Sequence, residues 1–442
     1  MGNFFRKISH HIPNWLLSPL IYLYKAGFNK YLFRHPEMKD PRLQKMAFYQ
    51  DQIAPERLLI DVTHQVYSQD RSGIPRVVNK TSEALLGLDQ DRFSFEFVMI
   101  LNNELYTARR FSERILKLET GSLGVDRPVK IRHGDHMLIL DCTMDKYRAF
   151  SPSFDAIHTL GGTVSTVIND IMPMRNPEWL PDDFVTTYQN TLPVVVRSSD
   201  ILFCVSEYTA SDLREWIREN QPDEWHRVVV TTFEQGAEIG SSSDKAEPIR
   251  PALAQFLEAA ANGNAPLFLQ VSIIQPRKGQ DVALDVFEQL WASGRNERLI
   301  YVGRKGWKAE ELFHRIVTHP ETGQRFLFVE NANETELVLI YDSATALISP
   351  SRGEGYGLPV VEAALRGIPV LLNDIPVYRE VAGDGGIYFD VKNPDSMHQA
   401  IARIEALSPE ERKAQARKIH VGTWTQGATD LLTSIEKVAD LQ

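Results

Sequence analysis

Residues 346–366 read as a strand, a glycine-rich turn and a helix, and that order confines the chain to an open α/β architecture. Ala346-Leu347-Ile348 is an apolar run of buried-strand type, and it empties into a polar loop. Gly353, Gly355 and Gly357 leave the loop backbone free to approach another group closely. Pro359 suits the first helical position and Gly367 the position just past the end, so the spacing predicts a helix over 359–366. One carboxylate, Glu354, lies in the loop, and a second, Glu362, lies early in the helix. A helix N-terminus offers unsatisfied N–H groups and the positive end of a dipole, so this corner is an anion site.

The same alternation recurs along the chain. Runs of strand type fall at 57–62, 93–101, 137–141, 163–168 and 201–205, with helical stretches between several of them. After 228–230 the chain turns polar, and 240–245 has no apolar periodicity. A second series follows, with strands at 266–271, 298–303, 326–329, 346–348 and 370–372 and a helix over 281–292. The expected class is α/β: two doubly wound, Rossmann-like domains of parallel strands, each sheet covered on both faces. Their strand C-termini would face each other across a cleft. The expected boundaries are an arm over 1–50, a first domain over 51–238, a linker over 239–250 and a second domain over 251–420. A C-terminal helix over 421–442 would cross back to the first domain.

A length of 442 residues is too great for one core and suggests roughly two or three domains. The 58 acidic residues outnumber the 48 basic ones, which argues against a general nucleic-acid binder. Cys142 and Cys204 each close an apolar run and read as buried free thiols, which implies a reducing cytoplasm. Residues 1–36 carry Arg6, Lys7, Lys25, Lys30 and Arg34 and no acidic residue, among many aromatic and aliphatic ones. Their longest apolar stretch, 15–24, is interrupted by Ser18 and Pro19 and is too short to span a bilayer. The arm either lies on an anionic membrane surface or packs on the body of the protein.

Several residues carry chemistry. Arg277 and Lys278 sit in a strand-to-helix loop beside Gly279, where an arginine fork and a lysine point charge would grip a phosphate. Gly303 closes a strand ahead of Arg304-Lys305-Gly306-Trp307. Asp170 follows the strand at 163–168, where it either orients a ligand or caps the next segment. Gly73 and Arg76 occupy the first strand-to-helix loop, and Arg76 either stabilises developing charge or is a surface helix residue. Ser206-Glu207-Tyr208-Thr209 reads as an ordinary helix start. Asp89-Gln90-Asp91 precedes a strand and reads as a turn. No H-E-x-x-H, C-x-x-C or P-loop motif occurs, and the 12 histidines show no ligand spacing, so no metal site is expected.

The segment from Ser349 to Ala364, with Glu354 and Glu362 separated by seven residues, resembles the donor-site motif of retaining glycosyltransferases of family 4, which have the GT-B fold. The likeness continues through Gly367-Ile368-Pro369-Val370 to Gly385-Gly386-Ile387-Tyr388-Phe389. Pro276-Arg277-Lys278-Gly279 resembles the family's diphosphate loop, and the region of Gly303 and Trp307 a segment near the donor pocket. Glu330-Asn331-Ala332-Asn333 resembles the segment around the nucleotide base. Val271-Ser272 departs from the Gly-Arg that many members carry, which leaves the diphosphate to Arg277 and Lys278. The resemblance implies a nucleotide-diphosphate sugar as substrate, without metal or other cofactor. Glu362 would bond the ribose and Glu354 would sit near the transferred sugar. Amides at Tyr356, Gly357 and Leu358 would meet phosphate or sugar oxygens, and Gly355 would join them in the donor site. Asp170-Ile171-Met172-Pro173 with Pro177-Glu178-Trp179 resembles bacterial polysaccharide-assembling members, many of which use mannose-type donors, and Gly73-Ile74-Pro75-Arg76-Val77 a stretch beside donor sugar and acceptor. A glycan or lipid-linked acceptor is implied, with the enzyme cytoplasmic or peripheral on the inner membrane. Two rivals share these features: a sugar-nucleotide epimerase of the same fold, and a non-catalytic sugar-nucleotide-binding subunit of a polysaccharide-assembly complex.

Overall fold

The computed structural model describes residues 40–47, 56–66, 73–141, 144–238 and 247–441. Most of the expected arm, Cys142 and most of the expected linker lie outside these residues.

The first sheet contains β1 (Glu56–Asp61), β2 (Phe93–Leu101), β3 (Glu104–Thr107), β4 (Asp135–Ile139), β5 (Val164–Ile168), β6 (Ile201–Cys204) and β7 (Val229–Thr232). Their order is β3-β2-β1-β4-β5-β6-β7. All neighbours are parallel except β2 and β3, which corrects the expectation of a wholly parallel sheet. The cause is local: Asn102 and Asn103 both adopt positive φ, 52° and 62°, which makes a two-residue hairpin turn after β2. The second sheet contains β8 (Leu267–Val271), β9 (Arg298–Gly303), β10 (Phe326–Glu330), β11 (Ala346–Ser349), β12 (Val370–Asn373) and β13 (Gly386–Phe389). It is parallel throughout, in the order β10-β9-β8-β11-β12-β13. β13 was not foreseen as a strand, because it is four residues long and begins on a glycine.

Alternate side chains of each strand feed opposite faces. Leu58 and Ile60 of β1 join one core with Phe95 and Phe97, whereas Leu59 joins another with Met137 and Ile139. Each such fully buried aliphatic side chain contributes ~1.5–3 kcal/mol. The helix Trp424–Ala439 packs on the helix Gly73–Gly87, and its Ala428, Leu431, Leu432 and Ile435 share a core with β1 and β2. No helix among the described residues is long and apolar enough to cross a membrane.

In both sheets the strand order reverses beside the first strand, between β1 and β4 and between β8 and β11. Connections leave in opposite directions there and open a crevice at the strand C-termini. The loops after β8 and β11 carry Arg277, Lys278 and Glu354, so the chain order delivers those residues to one point.

Candidate active site

Glu354 is the centre of the charged cluster. Its Oε1 accepts from Lys278 Nζ at 2.5 Å, Ser351 Oγ at 2.8 Å and Tyr378 OH at 3.3 Å. Arg277 stands 3.8 Å from Oε2 and donates to the Gly353 carbonyl at 2.8 Å. Burial works against this carboxylate's charge, but Lys278 and Arg277 outweigh it and hold the pKa below the usual value. Lys278 is held down to about 8, first by burial and then by the neighbouring Arg277 charge, with Glu354 opposing. The loop is fixed from behind: Arg352 N bonds the Arg277 carbonyl at 2.7 Å, and Asn373 Nδ2 bonds the Ser351 carbonyl at 2.9 Å.

The helix Leu358–Leu365 begins one residue earlier than the sequence predicts, with Pro359 in its first turn. Gly357 caps it at φ 97°, a backbone region that strains any residue with a Cβ. Four residues into the helix, Glu362 is 2% exposed. Its Oε2 accepts from Tyr341 OH at 2.6 Å, and its Oε1 pairs with Arg76 from the helix Gly73–Gly87 of the other sheet. Both oxygens of the expected ribose ligand are therefore engaged.

The other sheet's loops close over this corner. Gly355 lies so near the loop after β5 that an added Cβ would stand 2.0 Å from the Asn169 carbonyl oxygen and 3.4 Å from Asp170 Cβ. The Gly355 carbonyl accepts from Ser206 Oγ at 2.6 Å and Thr209 Oγ1 at 3.2 Å. Glu380 accepts from the amides of Glu207 and Tyr208, both at 2.7 Å, and so caps the helix Glu207–Asn220 from across the cleft. Phe184 and Trp307 meet with ring centroids 5.2 Å apart. Between these clasps a cavity of about 60 Å³ remains, lined by Asp170, Glu354, Arg352, Trp179, Tyr208 and Asp212 among others. That leaves room for a few waters.

The remaining expected residues fall as follows. Asp170 joins the cavity and also caps: Oδ1 accepts from Met172 N at 3.0 Å. Burial lifts its pKa, with Arg277 pulling the other way. Tyr356 touches the cores of both domains, and burial pushes its phenol to about 12. Leu358 is half-buried at the helix start. Gly303 makes its close approach to the Ser272 backbone, where an added Cβ would stand 1.9 Å from the carbonyl oxygen; strand packing alone accounts for the glycine. Gly73 has φ 51°, but nothing lies within 4 Å of an added Cβ. Glu330 is exposed on the edge strand β10, two strands from β8. The segment after it forms a helix cap, in which Asn333 and Glu336 bond each other's backbone. Cys204 is buried and free. Gln90 bonds Phe93 through both backbone atoms, so Asp89-Gln90-Asp91 is a turn. Sequence reading missed Tyr341, Tyr378, Ser351 and Glu380 as members of the cluster; only Ser351, three residues from Glu354, carried a local signal.

Residues 254–420 match the family described as Glycosyl transferases group 1. The serotype-specific mannosyltransferase WbdA of Escherichia coli is 30% identical over 388 residues, covering 87% of this chain and 47% of that protein. The chain thus spans about half the length of that relative. The O-antigen chain mannosyltransferase B of Escherichia coli is 27% identical over 256 residues, covering 57% of this chain and 63% of that protein. Among solved structures, the catalytic domain of starch synthase IV from Arabidopsis thaliana, bound to ADP and acarbose, superposes with a TM-score of 0.58 at 11% identity, covering 88% of this chain and all of that one. The two facing sheets are the GT-B fold, and residues 254–420 form a domain of the Glycosyl transferases group 1 family.

Proposed function

We propose that this chain is a retaining glycosyltransferase of the family 4 type, which moves a hexose, of mannose type, from a nucleotide-diphosphate donor to a bacterial polysaccharide or lipid-linked glycan. One observation carries the reading. Arg277 and Lys278 after β8 converge with Glu354 after β11 at the reversal of strand order, opposite Asp170 of the facing domain. The two mannosyltransferase relatives support the choice of sugar.

In this reading Arg277, Lys278 and the amides at the start of the helix Leu358–Leu365 carry the charge of the departing diphosphate. No metal is then needed for that step. Lys278 would leave Glu354 for the phosphates, and Glu354 would turn to a hydroxyl of the transferred sugar. Glu362 would take the ribose once Arg76 releases it, and Arg76 would then be free to face the sugar or diphosphate. Asp170, with its raised pKa, would hold the acceptor hydroxyl. Positioning within the closed cleft would supply much of the remaining rate enhancement.

The test incubates the full chain with GDP-mannose and other nucleotide sugars, with and without a mannose-terminated lipid-linked acceptor. Release of nucleotide that depends on acceptor, with a product one hexose heavier and of retained anomeric configuration, is the expected result. Isomerised donor without transfer would establish the epimerase instead. Binding with neither outcome would leave a non-catalytic subunit.

A further inference from the structure

The cavity beside Glu354 does not end at the cleft. It shares Tyr208 and Asp212 with an open groove of about 470 Å³ on the helix Glu207–Asn220, lined by Tyr208, Ser211, Asp212, Arg214, Glu215 and Arg218. Tyr208, Ser211, Asp212 and Glu215 recur at helical spacing, so they present one continuous face. The groove runs ten residues from Tyr208 to Arg218, or ~15 Å at the rise of an α-helix. That length suits several linked sugar units better than one.

Its chemistry is selective. Two carboxylates and two guanidinium groups line it, and these balance. Arg214 is paired with Glu207 and bonds the Val230 carbonyl, and Arg218 stacks over Trp225 with its guanidinium carbon 4.4 Å from the ring centroid. Arg175 also pairs with Asp212, Glu215 and Glu219, so with Glu207 the acidic groups at the groove slightly outnumber the basic ones, and a phosphate or polyanion meets no net positive field here. Tyr208 is 40% exposed, at the junction of groove and cavity. A half-exposed ring beside alternating donors and acceptors suits the apolar face and hydroxyl edge of a neutral sugar.

We propose that this groove holds the body of a neutral oligosaccharide acceptor, with Tyr208 as the platform under the unit next to the reacting one. The inference rests on the transferase reading above, and it adds where the acceptor lies and which charge class is admitted. The groove is reached from outside the clasped cleft, so an acceptor can stay docked while the domains open to exchange donor.

The test separates acceptor from donor. Mannotetraose and maltotetraose are titrated against wild type, Tyr208→Ala and Ser211→Trp, with tryptophan fluorescence and saturation-transfer NMR as readouts. GDP-mannose is titrated in parallel. Both variants alter exposed side chains of a helix whose packing lies on the other face, so both should fold as wild type does. The expected result is a fivefold or greater weakening of tetrasaccharide binding in both variants, with GDP-mannose affinity unchanged in Ser211→Trp, whose side chain does not line the cavity beside Glu354. Equal tetrasaccharide binding by all three proteins overturns the inference, as does failure of wild type to bind either tetrasaccharide. Failure to bind any nucleotide sugar, with groove-dependent tetrasaccharide binding intact, would refute the transferase reading and leave the groove assignment standing.

Discussion

Replacing Lys278 with methionine tests the diphosphate assignment most directly. Methionine keeps most of the aliphatic stem and removes the charge. In wild type the ammonium is buried, with a pKa held down to about 8. If an anionic donor binds the protonated form, the cation is mostly present at pH 7 and mostly lost at pH 9, about nine-tenths falling to one-tenth. Apparent affinity should then weaken about tenfold over those two units, or ~1.4 kcal/mol. The sign follows from the charge: the attraction exists below about pH 8 and fades as pH rises through it. At pH 7 the substitution removes a charge-assisted contact worth ~1.5–3 kcal/mol, which is roughly 10- to 150-fold in Kd. It also leaves Glu354 with Arg277 at 3.8 Å as its nearest cation, so a repelling carboxylate faces the diphosphate and the loss should fall in the upper part of that range.

The assay is isothermal titration of GDP-mannose into both proteins at pH 7, 8 and 9, repeated in buffers of different ionisation enthalpy to count protons taken up. Wild type should take up close to one proton per donor at pH 9, and the variant none. A wild-type Kd that stays level from pH 7 to 9, together with a variant within threefold of it, would refute the reasoning. Lys278 would then be only the structural partner of Glu354.

Two further outcomes follow from the contacts between the domains. Gly355→Ala puts a methyl where the Asn169 carbonyl oxygen stands 2.0 Å away, so the two loops must separate; small-angle scattering should show an expanded particle and turnover should drop at least tenfold, whereas an unchanged scattering profile would show that this contact does not hold the cleft shut. Arg76→Ala, Glu362→Gln and their combination, unfolded in urea, should give a coupling energy of ~1–3 kcal/mol, with Arg76→Ala alone costing ~3 kcal/mol because it strands a buried carboxylate on Tyr341; coupling under ~0.5 kcal/mol would rule the pair out as a clasp.

What was readable in advance divides along a physical line. The central strands of both sheets were legible because their apolar runs are local, whereas the four-residue strands β3, β7 and β13 at the sheet edges were not. The turn-to-helix corner at Gly357 was legible because glycine and proline report backbone angles directly. Arg277, Lys278 and Glu354 were legible as a set because their loops follow β8 and β11, and the crossing rules of a doubly wound sheet put those loops side by side. Tyr341, Tyr378 and Glu380 were not, since a tyrosine in a helix has the same local pattern whether it fills a core or bonds a carboxylate. Gly303 shows the converse error: a glycine announces a close approach but does not say to what, and here the approach is to Ser272. Likewise Ser206 caps its own helix, as its neighbours suggest, while its hydroxyl reaches Gly355 of the other domain.

The pairing of Arg277, Lys278 and Arg76 with carboxylates has a physical reason. Two cations, Arg277 and Lys278, stand against the carboxylates of Glu354 and Asp170, and Arg76 stands against Glu362. A cleft that held bare cations in a space of about 60 Å³ would carry an uncompensated desolvation cost, so the domains could shut only over ligand. Glu354 lowers that cost by lending Lys278 a partner, yet the match is incomplete, for the lysine still lies well below its ordinary pKa. On the proposed reading, a diphosphate would bring more charge than one carboxylate and be the stronger partner. The resting pair would then hold the lysine where that reading needs it, while binding it weakly enough to be exchanged.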